Sequence, residues 1–226
     1  MKWLKKLQRK MRNFGIPNLM LYITATMLFF FLADLIIPLT PNFLYWMDFS
    51  RDLILQGQVW RLITFLFMPP ASNIIWLFFA LLFNVYVGRS LENHWGASSF
   101  TFYYLWGVVG LIIGGFITGG TTNIYLNTSL FLAFAQLYPD QQVRIMFLIP
   151  VKVKYLGYAE WIIYGIMLIR NLLFQDWGGA VALVMSVLNF IIFFGPGMID
   201  RWRTNYHYLK RRKEFKEHIK NNQDRF

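Results

Sequence analysis

Polar side chains inside otherwise apolar stretches are the first candidates for chemistry, because a titratable or amide group is costly in hydrocarbon unless it pairs or works there. Asp34, Asn84, Glu160 and Asn189 are of this kind. Glu160 reads as an interfacial carboxylate within reach of Lys152 or Lys154, and Asn84 and Asn189 as partners in interhelical hydrogen bonds. Asp34 stands near the end of its apolar stretch, where water reaches it. Histidine occurs only as His94, His207 and His218, and cysteine not at all. Disulfides, thiolate zinc sites and a cysteine nucleophile are therefore excluded, and neither a metal nor a cofactor is expected.

The elements that hold these residues are dictated by composition. Of the 226 residues, 57% are hydrophobic and 19% aromatic, and the mean hydropathy is +0.42. Such a chain is solvated by lipid rather than water. The formal net charge of +11 does not imply nucleic acid, since most Lys and Arg residues cluster in residues 1–13 and 201–226, flanking the apolar part. That placement is a topology signal. The tail cations are expected to meet anionic lipid headgroups, so membrane lipids are expected partners and nucleic acid is not.

Six apolar stretches follow one another: Leu19 to Pro38, Asn73 to Gly88, Phe100 to Thr118, Ile124 to Tyr138, Tyr155 to Leu173 and Gly179 to Ile199. A helix crossing a bilayer core needs about 20 residues, so the fold class expected is an all-α membrane protein with six transmembrane helices. Residues 39–72 form a long interfacial first loop, rich in aromatics suited to the headgroup region. Val143 to Lys154 reads as an interfacial loop. The third stretch carries Gly107, Gly110, Gly114 and Gly115, which let a neighbouring backbone come close, so helix packing is their expected role. With Arg89, Arg144, Lys152 and Lys154 on the side of the two basic tails, both termini are expected in the cytoplasm. The chain divides into a basic N-terminal segment, 1–18, a six-helix membrane domain, 19–199, and a basic tail, 200–226. Brevity and the missing cysteines favour a bacterial cytoplasmic membrane.

Two short motifs frame the second stretch. Trp60-Arg61 precedes it, and Gly88, Glu92 and Gly96 follow in a Gly-x-x-x-Glu-x-x-x-Gly pattern, with Ile149 to Leu156 leading into the fifth stretch. An arginine beside a tryptophan pins a loop by cation-π contact and by hydrogen bonds to carbonyls, and Glu92 stands one helical turn from Arg89, where the two can pair. In this order the motifs resemble the rhomboid superfamily of intramembrane proteases, which includes the non-proteolytic derlins. The resemblance covers roughly residues 19–199 and implies a rhomboid-like six-helix bundle.

Proteolysis in that superfamily uses, as the resemblance implies, a serine in a Gly-x-Ser-Gly turn and a histidine in the sixth helix. Ser129 matches the serine by position, within Asn127-Thr128-Ser129-Leu130, but both glycines are gone. The sixth stretch has no histidine; Ser186, Val187, Leu188 and Asn189 occupy its neighbourhood. Trp76 and Ala80 stand where the family places its oxyanion donors. A serine hydroxyl without a base is a poor nucleophile, and one lost oxyanion donor alone costs about 100-fold or more in rate. No enzyme activity is expected. The expected function is that of a rhomboid-like pseudoprotease that binds transmembrane segments of client membrane proteins and influences their folding, trafficking or degradation. A divergent protease using Ser129 is one alternative, and a small transporter or lipid-handling protein is another.

Overall fold

The computed structural model describes residues 15–37, 43–71, 73–145, 149–175, 180–181, 183–185 and 187–194. Apolar runs without internal proline form the long helices α1 (Leu19–Ile36), α4 (Ile74–Trp95) and α5 (Ala97–Thr118). Each is long and apolar enough to cross a membrane. Two short helices, α2 (Arg51–Leu55) and α3 (Arg61–Thr64), lie between α1 and α4. The shorter α6 (Ile124–Leu137) and the 21-residue α7 (Val153–Leu173) follow. A further apolar helix covers Leu183–Phe194.

The expected six spans are thus met by three helices that qualify on length and composition among the described residues. The reason differs for each remaining stretch. α6 has 14 residues, a rise of about 21 Å against a core of about 30 Å. α7 has the length but carries Lys154, Glu160 and Arg170. Of the last stretch, residues 180–181, 183–185 and 187–194 are described and all are helical, and the apolar helix Leu183–Phe194 is shorter than about 20 residues.

Two other expectations are corrected. The second stretch does not end at Gly88: α4 continues to Trp95, and a single residue, Gly96 at φ +83°, turns the chain directly into α5. The interfacial loops contain strands. β1 (Phe49–Ser50) pairs antiparallel with β2 (Gly120–Thr121), tying the first loop to the end of α5, and β3 (Gln142–Ile145) pairs with β4 (Ile149–Lys152) in a hairpin.

The packed unit runs to Phe190; of residues 191–226, the four that are described, Ile191 to Phe194, are helical. Within the packed unit α5 lies deepest, with half of its apolar window buried against 22% for α1 and 28% for α4. Its small residues make this possible. A Cβ on Gly107 would stand 2.5 Å from Leu126 and one on Gly115 2.5 Å from Phe49. Gly114 makes ordinary contact with Met185 at 3.5 Å, whereas Gly110 faces open space. Among the described residues Gly110 therefore has no packing partner.

Candidate functional site

Arg61 opens α3 and is 1% exposed, the largest fully buried side chain described. A guanidinium presents five donors in a fixed fork, and here the fork collects acceptors from the preceding loop. Its Nη1 donates to the carbonyls of Tyr45 (2.8 Å) and Asp48 (2.7 Å), and its Nε donates to Gln58 Oε1 (2.7 Å). The cation-π partner is Tyr45, 5.5 Å from the guanidinium carbon to the ring centroid, rather than the adjacent tryptophan. Trp60 has a separate task, donating its indole N–H to the Trp46 carbonyl (3.1 Å), while the Thr64 hydroxyl donates to Met47 O (3.0 Å). The turn from Phe43 to Asp48 is thus held by its carbonyls. Burial pushes the Asp48 carboxyl above the usual range, with the Phe49 backbone N–H and Arg61 pulling the other way.

Asn123 does the same from the opposite strand of chain. Its side-chain amide, 3% exposed, donates to the Leu66 and Met68 carbonyls (3.0 and 2.7 Å) just before α4. Nothing about an isolated asparagine in the sequence marks this task. The pairing of β1 with β2 was equally illegible, although Phe49 completes it by lying on Gly115.

At the other end, Gly88 and Glu92 serve the seating of α1, and Gly96 the turn from α4 into α5. A Cβ on Gly88 would stand 2.4 Å from Met20, so the glycine lets α1 and α4 touch. One turn later Glu92 Oε1 accepts from the Asn18 backbone N–H (2.8 Å). Asn18 has φ 56° and makes no side-chain cap of its own, so Glu92 satisfies a donor at the start of α1 from a neighbouring helix. The expected Glu92–Arg89 pair does not form. Gly96 then supplies the positive φ of the turn.

Ser129, on α6, is 2% exposed. Its Oγ lies 2.6 Å from Tyr103 Oη, which also donates to Ser129 O (3.1 Å), and the Asn189 side-chain amide donates to Ser129 Oγ (3.4 Å). Gly107 makes room for this amide: a Cβ there would stand 2.7 Å from Asn189 Nδ2. A phenol titrates near pH 10, so the serine meets two neutral partners. His94 packs instead against Tyr138 (5.9 Å between rings), nine residues beyond Ser129 and so about 13 Å further along the helix axis. His207, His218 and Ser186 lie outside the described residues. Trp76 is 55% exposed and Ala80 is half-buried. Leu130 is 2% exposed, filling its position with side chain.

Glu160 departs from expectation. Lys152 and Lys154 approach Asp140 instead (4.0 and 3.1 Å), and the hydrogen bond and charge of Lys154, with help from Lys152, hold the Asp140 carboxyl below the usual range. Glu160 faces the Thr128 side chain across the α6–α7 contact. No group of residues able to hold a metal is found among the described residues.

Long apolar helices packed through glycines, with buried polar ties at both ends, define an integral membrane protein of the helical class. A family model described as eukaryotic integral membrane protein (DUF1751) matches residues 19–194, and the chain belongs to that family. The bacterial cytoplasmic membrane expected from composition finds no support in a family so described. Neither a curated protein nor a solved structure matches the chain.

Proposed function

We propose that the chain is a non-proteolytic, rhomboid-like membrane protein that binds transmembrane segments of client proteins. The observation that carries this is the enclosure of Ser129 by the Tyr103 phenol and the Asn189 amide. A nucleophilic serine needs a base that takes its proton and donors aimed at the oxyanion. Neither a phenol nor a carboxamide takes a proton from serine near neutral pH, and both are spent on Ser129 itself rather than aimed at an oxyanion; the bulky Leu130 fills the place where the superfamily's second glycine lets chains pass closely.

What remains intact suits a helix binder. α6 carries a half-buried stripe through Thr128, Phe131 and Ala135. Phe131 meets Phe83 of α4 (5.7 Å between rings), while Thr128 and Ala135 meet Glu160 and Gly157 of α7. α4 and α7 therefore flank a short helix, and neither packs closely on the other. A helix of 14 residues also favours local thinning of the bilayer.

Arg89, His94, Lys152 and Lys154 share the end of the bundle where α1 begins, through Glu92 on Asn18 and His94 on Tyr138. This supports both termini on the cytoplasmic side, with the tail cations against anionic headgroups. Reporter fusions at Lys2 and Phe226 are expected to signal cytoplasm, and a far-side signal from Phe226 breaks the topology.

The test of function is direct. Reconstituted protein is expected to leave rhomboid substrates uncut and Ser129 unlabelled by a fluorophosphonate, while single-span peptides crosslink to α4 and α7. Serine-dependent cleavage would restore the protease reading.

A further inference from the structure

Glu160 lies seven residues into α7, about 10 Å along the helix from Val153, and is only partly buried. Its described partner is the neutral side chain of Thr128. The cations nearest in sequence are engaged elsewhere: Lys154 and Lys152 with Asp140, and Arg170 with Asn171 Oδ1 (3.4 Å). Among the described residues no cation stands within ion-pair distance of it.

Its position relative to α6, which α4 and α7 flank, is fixed by its neighbours. Gly157, one turn earlier, presses on Ala135, and a Cβ there would lie 3.0 Å from the alanine Cβ. Trp161 turns the other way, towards Phe190 (6.0 Å between rings). Glu160 therefore borders the half-buried stripe of α6, facing Thr128 and itself only partly buried, so that part of it is accessible to a segment lying along that stripe. An intramembrane carboxyl without a counter-cation is a strong local discriminator, because a passing helix can satisfy it only with a matching donor or cation.

We propose that Glu160 selects, among transmembrane segments entering the groove between α4 and α7, those that carry a lysine or arginine about 10 Å in from the membrane face where α7 begins. This rests on the client-binding reading above and adds a chemical class to the client. Apolar segments, which gain nothing from the carboxyl, are passed over.

The full-length protein is reconstituted with single-span leucine-alanine peptides carrying a photocrosslinker, with Lys, Leu or Glu at the matching depth. The Lys peptide is expected to crosslink about three- to tenfold more than the Leu peptide, the range of an interhelical polar contact in lipid. Glu160→Gln, which keeps a hydrogen-bonding partner for Thr128 and so the helix contact, is expected to erase that preference. Glu160→Lys is expected to transfer it to the Glu peptide. Equal crosslinking of all three peptides, or a Lys preference that survives Glu160→Gln, overturns the selection while leaving client binding standing. Absence of crosslinking by every peptide overturns the client-binding reading and the selection with it.

Discussion

Arg61 and Ser129 are almost equally enclosed, at 1% and 2% exposure, yet they are enclosed for opposite reasons. Arg61 reaches across the first loop and takes two backbone carbonyls and one side-chain oxygen that have lost their water. Ser129 is reached by others, a phenol and an amide, each held by its own helix. Removing Arg61 orphans several groups at once, whereas removing the Ser129 hydroxyl leaves Tyr103 still bonded to the Ser129 carbonyl. Trp60-Arg61 thus supports the first loop and Gly88 and Glu92 support α1, whereas Ser129 sits inside a buried hydrogen-bond cluster.

That contrast is tested hardest at Arg61. Arg61→Ala is expected to destabilise the protein by about 4 kcal/mol, since three buried hydrogen bonds to a charged group are broken and their acceptors stay dry. Arg61→Lys should recover only part of this, because a point charge on a flexible stem cannot span the fork. Thermal unfolding in micelles reads both. A near-neutral Arg61→Ala would mean that the loop is wet and the comparison fails.

Next in size is Gly88→Leu, expected to cost about 3 kcal/mol by forcing α1 away from α4 at Met20. Gly110→Leu, at a position with open space around it, serves as the control and is expected to be tolerated. Glu92→Ala is expected to cost about 2 kcal/mol through the lost bond to Asn18, and Glu92→Gln markedly less, because an amide oxygen can still accept. Equal losses for Ala and Gln would mean that the charge of Glu92, rather than its acceptor, seats α1.

What the sequence made legible follows from range. Apolar runs report α1, α4 and α5 because their signal is local, whereas the extension of α4 beyond Gly88 to the turn at Gly96 is not legible in them, since Arg89 to Trp95 is mostly polar. The interaction partners were not local. Trp60-Arg61 could be read as a loop pin, but Tyr45, 16 positions from Arg61, could not be chosen over Trp60 by adjacency. Adjacency points Glu92 to Arg89, one turn away, whereas its acceptor serves Asn18, 74 positions away. Nearness in sequence likewise points Glu160 to Lys152 and Lys154, but those lysines pair with Asp140 across the hairpin. Tyr103 gave no signal at all, since one tyrosine in an aromatic-rich helix has nothing to distinguish it.

The smallest expected effect is the most discriminating. Ser129→Ala removes one hydroxyl whose partners are neutral, and a net hydrogen bond of this kind contributes about 1 kcal/mol. Part of even that is kept, because Tyr103 retains the Ser129 carbonyl as acceptor. Asn189 loses the more distant contact, 3.4 Å, which sits at the weak end of hydrogen-bond geometry. The substitution is therefore expected to leave both stability and peptide crosslinking within measurement error, while Tyr103→Phe, which removes the donor to the Ser129 carbonyl and the hydrogen-bond partner of its hydroxyl, is expected to cost more. If Ser129→Ala instead abolished function in a protein that remained folded, the hydroxyl would be acting on a substrate rather than on Tyr103. The contrast between supporting motifs and silent serine would then collapse, because a serine that matters without mattering to stability is one that does chemistry.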